Sequence, residues 1–205
     1  MNGKVLCPEN DVLVWAGDFL QEYRQSTGLG GPSHVRDNIH PQWVAPPNGI
    51  FKINTDAVVN IHNKSAGVGV VIRDFQGRVL LSFCRNFQAC FSPQITEAMA
   101  VLEGIRMAKN RGLVPAILEF DALIVIRDIC NNISLSSDVG LLVDEILNFS
   151  RESNMFSFIY VPRLVNRVAH GLAKLALSHL GEFVWVDDCL LCVESLVAGD
   201  SPFPL

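Results

Sequence analysis

Three acidic residues in this chain can do chemistry together if the fold brings them into contact. Asp56 and Asp121 each close an apolar, strand-like stretch, and Glu97 falls in the first turns of a predicted helix. Carboxylates that converge without an equivalent basic cluster repel one another, and their pKa values rise unless a cation holds them. Hard oxygen ligands at an open site suit Mg²⁺ or Mn²⁺. These residue types therefore indicate a candidate site for a divalent metal.

The elements that position these acids follow from the hydrophobic periodicity. Ser92-Pro93 and Gly112 supply a hydroxyl cap, a first-turn proline and a glycine stop for the first long helix. The predicted elements, in order, are strands at 50–57, 66–73 and 78–84, a helix at 93–111, a strand at 116–120, a helix from 122, a helix at about 138–151, a strand at 156–161 and a helix at 166–180. This order predicts an α/β fold with a mixed sheet covered by helices.

The predicted topology brings the acids to one edge of the sheet. If the first and fourth strands are parallel neighbours, their ends place Asp56 and Asp121 side by side. Glu97 shares a helical stripe with small residues, which favours close packing of that helix on the sheet. A carboxylate on a packed helix face is unusual unless it is paired or bound to metal.

Each acid taken alone has another interpretation. Asp121 directly precedes a helix and can serve as its N-cap. Asp56 can be a turn residue at the end of a strand. Glu97 can lie in the first turns simply because its negative charge interacts favourably with the positive end of the helix dipole. The combination of the three, rather than any one of them, indicates a metal site.

The composition excludes several classes of protein. Of the 205 residues, 49% are hydrophobic and 18% are charged, a balance typical of globular chains and not of disordered ones. No window approaches the roughly 18 apolar residues of a transmembrane helix, and the first ten residues lack the apolar run of a signal peptide. We therefore expect an intracellular protein, nuclear or cytoplasmic, that is not secreted and has no membrane partner.

The charges are unevenly distributed along the chain. The net charge is -5, yet residues 43–181 hold 13 Lys or Arg against 11 Asp or Glu. Residues 1–42, which include a glycine- and proline-rich stretch, are predicted to be a leader segment and linker. Residues 182–205 hold five acids and no Lys or Arg, and they are predicted to be an acidic tail. The mildly positive charge of the central block at 43–181 is compatible with a weak, local phosphate-binding face.

Five segments in register carry a resemblance to a known family. They are Trp43 with Pro46-Pro47-x-Gly49-x-x-Lys52-Ile53-Asn54-Thr55-Asp56-Ala57, Gly67-Val68-Gly69-x-Val71-Ile72-Arg73-Asp74-x-x-Gly77, Thr96-Glu97-Ala98-x-Ala100, Glu119-x-Asp121-Ala122, and Val161-x-Arg163-x-x-Asn166-x-x-Ala169-His170-x-Leu172-Ala173. With these motifs, the chain resembles the type 1 ribonuclease H family, specifically its plant retroelement-derived, reverse-transcriptase-like branch.

The resemblance implies a fold, an activity and a set of site residues. The fold is ribonuclease H-like, a five-stranded mixed sheet with three antiparallel and two parallel strands flanked by helices. The activity is hydrolysis of the RNA strand of RNA–DNA hybrids by two Mg²⁺ or Mn²⁺ ions, with Asp56, Glu97 and Asp121 as metal-binding, catalytic carboxylates. The nucleic-acid partner is the hybrid, and we expect a monomer.

Two features depart from the family pattern. The fourth acidic ligand aligns with His170, which we include among the candidate catalytic and metal-binding residues although imidazole suits Mg²⁺ less well than carboxylate does. The alternative is that His170 merely packs in the first turn of its helix. The short connection at 162–165 lacks the histidine-bearing loop of many bacterial members, so a slow enzyme is expected. The second functional hypothesis is a catalytically silent, retroelement-derived domain that binds nucleic acid or protein.

Overall fold

A computed structural model describes residues 42–131, 137–153, 155–188 and 191–200. The predicted leader segment up to residue 41 lies outside these ranges. The described elements are β1 Phe51–Asn60, β2 Ser65–Arg73, β3 Val79–Phe87, α1 Pro93–Arg111, β4 Ala116–Phe120, α2 Leu123–Cys130, α3 Asp138–Ser153, β5 Phe156–Tyr160, α4 Arg167–Ser178, β6 Glu182–Val186 and α5 Leu191–Asp200. No described helix is both long enough and apolar enough to cross a bilayer.

The strands form one mixed sheet in the order β5-β4-β1-β2-β3-β6. The strands β1, β2, β3 and β6 pair antiparallel in succession, whereas β4 pairs parallel with both β1 and β5. The α/β class and the parallel neighbours β1 and β4 are thus as predicted. The predicted strand count of five is wrong, because the described part of the chain contains six.

The additional strand is β6, which lies in the segment predicted to be an acidic tail. Its five residues pair with β3, from Leu81 opposite Val186 to Arg85 opposite Glu182. Four of the five residues of β6 are exposed, so the strand has little of the burial that produces a clear hydrophobic alternation. The helix α5 then packs against α4. Residues 182–186 and 191–200 are therefore part of the folded unit.

The helix α1 begins and ends as its sequence predicts. The Ser92 hydroxyl accepts a hydrogen bond from the backbone N–H of Ile95, and Pro93 occupies the first turn. Gly112 ends the helix in the left-handed conformation, with φ 66°, which costs glycine little. Gly104 lets α1 approach β1, since a Cβ atom there would lie 2.8 Å from the Thr55 side chain. The middle of helix α1 can therefore pack closely on β1.

Helix α4 packs on β2, and two glycines make this close approach possible. A Cβ atom at Gly67 or Gly69 would collide with the backbone of α4, at Ala173 and Ala169 respectively. Gly69 is also the cross-strand partner of Asp56. The absence of a side chain at Gly69 thus lets the first turns of α4 lie close to Asp56.

Candidate active site

Asp56 lies inside strand β1 rather than at its end. The strand continues to Asn60 because it forms a long hairpin with β2. Its parallel pairing with β4, however, stops where Asn54 lies opposite Glu119. Asp56 is therefore two residues beyond that pair, at the edge of the sheet where β4 ends.

The structure brings Asp56, Glu97 and Asp121 together. Each offers a carboxylate oxygen, and the three oxygens lie within 4.8 Å of one another. The acids come from β1, α1 and the residue after β4, so tertiary structure alone makes the cluster. The N-cap role considered for Asp121 is not observed, because Ala122 occupies the cap position of α2 and no side chain bonds there.

Each of the three acids carries one buried oxygen without a hydrogen-bond partner among the described residues. These atoms are Asp56 Oδ1, Glu97 Oε2 and Asp121 Oδ1. Buried polar atoms are nearly always paired, because desolvation without a partner is costly. Three unpaired oxygens in one cluster fit a site that holds a divalent cation through carboxylate ligands.

Burial and mutual repulsion raise two pKa values in the cluster. Burial, followed by the Asp56 and Asp121 carboxylates, raises the pKa of Glu97 to about 9. Burial, followed by the Asp121 carboxylate, raises the pKa of Asp56 to about 7, although Arg163 opposes this change. In the absence of metal, protonation of Glu97 and Asp56 thus partly relieves the repulsion among the three carboxylates, which a bound cation would otherwise relieve.

His170 lies beside the cluster, in the first turn of α4. Its Nδ1 is 2.5 Å from Asp56 Oδ2. Burial, followed by the nearby Arg163 and Lys174 charges, lowers the pKa of His170 below its ordinary value. The neutral ring can donate one hydrogen bond to Asp56 from Nδ1. The structure thus places His170 in direct contact with one of the three acids.

Two further residues contact the site from the loop between β5 and α4. Asn166 donates a hydrogen bond from Nδ2 to the backbone oxygen of Thr55 at 2.8 Å, which ties the loop to β1 beside Asp56. Arg163 Nε is 3.5 Å from Asp121 Oδ2, and Arg163 Nη2 is 3.9 Å from Asp56 Oδ2. Sequence reasoning placed both residues in a motif but assigned neither a role at the site.

Behind the acids lies a buried polar network that sequence reasoning did not find. Asn54 donates from Nδ2 to Glu119 Oε2 at 3.0 Å, and its Oδ1 accepts from Arg73 Nη2 and Trp43 Nε1. Lys52 Nζ pairs with Glu119 Oε1 at 2.5 Å. The network therefore links β1, β2 and β4 directly beneath the acid cluster.

Two further interactions connect Arg73, a member of this network, to residues outside the sheet. The guanidinium of Arg73 stacks 3.6 Å from the centroid of the Trp43 ring. Its Nη1 also pairs with Asp200 Oδ2 at 2.9 Å, and both side chains are almost fully buried. The far end of α5 is thus fixed to the strand β2 by a buried ion pair.

The sheet order, the covering helices and the carboxylate cluster define a ribonuclease H-like α/β domain of the retroelement type. The chain belongs to the family described as Reverse transcriptase-like, whose family model matches residues 54–176. All three acids and His170 lie inside that match.

Known proteins agree with this assignment. An Arabidopsis thaliana protein provisionally named a ribonuclease H protein is 30% identical over 169 residues, which are 82% of this chain and 27% of that protein. The chain thus spans about a quarter of the length of this relative. RNase H1 from Halobacterium salinarum has a TM-score of 0.56 at 20% identity, over 63% of this chain and 98% of that one. LC11-RNase H1, solved in complex with RNA/DNA hybrid, has a TM-score of 0.57 at 20% identity, over 62% and 96%.

Proposed function

We propose that this protein is a metal-dependent endoribonuclease that hydrolyses the RNA strand of RNA–DNA hybrids, with two Mg²⁺ or Mn²⁺ ions. The observation that carries the proposal is the cluster of Asp56, Glu97 and Asp121, with one buried, unpaired oxygen on each acid. The family membership and the ribonuclease H name of the Arabidopsis relative support it.

The three acids would hold the ions through their carboxylate oxygens. When bound, such ions supply an activated water and neutralise charge at the phosphate and the leaving oxygen. Asp56 is held rigidly because β1 is paired on both sides just before it. Glu97 is oriented by the close packing of α1 on the sheet, and Asp121 by the end of β4. The chain thus contributes a preorganised set of carboxyl oxygens at a partly exposed edge.

The substrate class follows from the proposed chemistry and from the relatives. LC11-RNase H1 was solved with an RNA/DNA hybrid, and we propose the same ligand for this chain. An A-like hybrid is recognised mainly through its shape, its phosphates and its 2′-hydroxyls. We therefore expect cleavage of the RNA strand with little dependence on base sequence.

His170 is the proposed fourth residue of the site. Its contact with Asp56 places the imidazole where it can bind an ion or orient the Asp56 carboxylate. Nitrogen ligands suit Mn²⁺ better than Mg²⁺. Together with the short loop before α4, this ligand set favours a slow enzyme that prefers Mn²⁺.

The second candidate is a catalytically silent domain that binds nucleic acid or a protein. Its support is the pairing of the acids in the structure, since His170 and Arg163 already lie against Asp56. A silent domain need not hold two ions. Calorimetric titration with Mn²⁺ therefore separates the two candidates before any substrate is added.

The decisive experiment is a cleavage assay on a labelled hybrid with and without Mn²⁺. We expect cleavage of the RNA strand only with metal, and an intact DNA strand. Asp56→Asn, Glu97→Gln and Asp121→Asn each remove a charge while keeping the shape, and each should reduce the rate at least 100-fold, about 2.7 kcal/mol of transition-state stabilisation.

The control is Glu194→Gln, which neutralises an exposed acid on α5 and should leave the rate unchanged. If any one of the three site variants keeps wild-type activity, that residue is not a metal ligand. A folded wild-type chain that binds no Mn²⁺ and cleaves nothing would support the silent domain instead.

A further inference from the structure

Arg163 is a cation at the mouth of an acidic site. Its guanidinium lies between Asp121 and Asp56, at 3.5 Å and 3.9 Å from their nearer oxygens. Its side chain is nevertheless 58% exposed to solvent, whereas that of Asp56 is 1% exposed. The arginine therefore covers the acids from the solvent side, where a substrate has to approach.

The contacts of Arg163 are loose in comparison with those of Arg73. Arg73 is buried, and it donates short hydrogen bonds to Asp200 and Asn54 at 2.9 Å each. The side chain of Arg163 makes no hydrogen bond of normal length within the part of the chain that the structure describes. The guanidinium is attracted to the two carboxylates across partly solvated space. It can therefore easily exchange these carboxylates for another anion.

The backbone that carries Arg163 is nevertheless fixed. The connection between β5 and α4 is a tight turn, with Val165 N–H bonded to Pro162 O and Asn166 N–H bonded to Arg163 O. Asn166 is in turn bonded to Thr55 O on β1. The Cα atom of Arg163 is thus held beside the acids, and only its long side chain has freedom to move.

The charges at this place change when metal and substrate bind. Divalent ions held by Asp56, Glu97 and Asp121 would neutralise the carboxylates and would weaken the attraction that holds the guanidinium against Asp56 and Asp121. The phosphodiester backbone of a bound hybrid would bring negative oxygens to the same opening. Arginine is well suited to bind them, since its planar fork matches phosphate oxygens in two directions.

We propose that Arg163 binds a non-bridging phosphate oxygen of the hybrid at the point of cleavage, after the metal ions have replaced it at the carboxylates. This inference rests on the proposed function. It makes Arg163 a substrate-binding residue of the short loop that replaces the histidine-bearing loop. Its role is to add one positive contact to the phosphate that the acids alone would repel.

The alternative role for Arg163 is to neutralise the acids in the folded chain. Under that role, Arg163→Ala would weaken folding and leave hybrid binding by the remaining folded protein unchanged. Under our proposal, Arg163→Ala folds normally and binds Mn²⁺ at least as tightly as wild type, because the arginine competes with the metal for Asp56 and Asp121.

The experiment compares wild type, Arg163→Ala, Arg163→Lys and the control Arg167→Ala, which removes an exposed arginine from the first turn of α4. Binding to a labelled hybrid is measured in Ca²⁺ over a range of KCl concentrations, and a gel verifies that the RNA strand stays intact. Single-turnover cleavage is measured in Mn²⁺. Circular dichroism and calorimetry with Mn²⁺ report folding and metal affinity.

We expect Arg163→Ala to lose roughly 10- to 100-fold in single-turnover cleavage, the size of one charge-assisted contact. The slope of log affinity against log salt should become shallower by about one, as for a lost phosphate contact. Arg163→Lys should restore the slope but only part of the rate, since lysine lacks the fork. Arg167→Ala should stay within about twofold in cleavage rate.

Three results would overturn the inference. The first is an Arg163→Ala variant with the wild-type salt slope and cleavage rate, and the second is a variant that loses Mn²⁺ affinity together with folding. In both cases the proposed function still stands if the wild-type chain cleaves the hybrid, and only the role of Arg163 is wrong. The third is a folded wild-type chain that binds no hybrid at all, which would overturn both proposals.

Discussion

Asn54 and Glu119 are hydrogen-bonded across the parallel strands β1 and β4, and each precedes a site aspartate by two residues. The Asn54 Nδ2 to Glu119 Oε2 distance is 3.0 Å, and both side chains are buried. The bond fixes the two strands against each other immediately before Asp56 and Asp121. The separation of these two acids is thereby set by a polar contact that never faces the solvent.

We predict that Asn54→Ala will destabilise the chain by about 3 kcal/mol or more. The substitution leaves buried groups of Trp43, Arg73 and Glu119 without their shared partner, at roughly 1–3 kcal/mol for each unsatisfied group. Mn²⁺ affinity should also fall, by roughly tenfold, as for other supporting groups behind metal ligands. Urea unfolding and calorimetry measure the two effects.

The matched control for this variant is Asn60→Ala. Among the residues that the structure describes, the Asn60 side chain has one hydrogen-bond partner, the Asn63 N–H in an exposed turn, so the loss of this bond should cost about 1 kcal/mol or less. Equal losses of stability in the two variants would show that the buried network adds nothing to the fold.

The pH dependence of stability gives a second prediction, for the protein in EDTA. Burial and the neighbouring carboxylates raise the pKa of Glu97 from 4.5 to about 9. Between these pH values the folded chain keeps a proton that the unfolded chain releases, so this group makes the free energy of unfolding fall as pH rises. The Glu97→Gln variant cannot lose this proton.

The stability of Glu97→Gln relative to wild type should therefore increase steadily from pH 5 to pH 9 in EDTA. Urea unfolding at each pH measures the difference. Addition of Mn²⁺ should reverse it at high pH, because only wild type offers the third carboxylate to the metal. A difference that stays constant with pH would mean that Glu97 is ionised in the folded, metal-free chain.

The third prediction concerns His170. If the ring binds metal, His170→Asp should raise the ratio of the Mg²⁺-supported to the Mn²⁺-supported cleavage rate, since oxygen ligands suit Mg²⁺ better. His170→Ala should weaken Mn²⁺ binding. His179→Ala, which removes an exposed histidine at the end of the same helix, should change neither quantity. If both His170 variants keep the wild-type metal preference and metal affinity, His170 does not bind metal and only packs in the first turn of α4.

The fourth prediction concerns the buried ion pair between Arg73 and Asp200. Asp200→Ala leaves a buried guanidinium without its carboxylate, and we expect a loss of about 3–5 kcal/mol in the free energy of unfolding. Glu145→Ala is the control, because it breaks an exposed ion pair with Arg106, which should cost less than about 1 kcal/mol. Urea unfolding compares the two variants, and similar losses would contradict the prediction.

Local signals in the sequence predicted the parts of the fold that depend on local chemistry. The limits of α1 follow from Ser92 and Gly112, which act on their own backbone neighbourhood. The meeting of Asp56 with Asp121 follows from the parallel pairing of two adjacent strands. The limits of α1 need no knowledge of distant contacts, whereas the meeting of the two acids follows from the order of the strands in the sheet.

The features that the sequence did not predict depend on distant residues. Arg73 and Asp200 are 127 residues apart, and Asn54 and Glu119 are 65 apart. Nothing in either neighbourhood indicates its partner, because the pairs form only after the sheet has assembled. The exposed residues of β6 similarly lack a pattern of their own, since β3 supplies the hydrogen bonds that make them a strand.

The strand β6 and the helix α5 extend the folded unit beyond the part of the chain that matches the family. The match to the family ends at residue 176, yet the hydrogen-bonded sheet continues to residue 186 and the ion pair with Arg73 to residue 200. A fragment cut after residue 176 would expose the edge of β3 and leave the buried Arg73 without its carboxylate partner. The part of the chain that matches the family and the part that folds together therefore have different limits here, and a substitution at residue 200 can weaken a core whose family match ended 24 residues earlier.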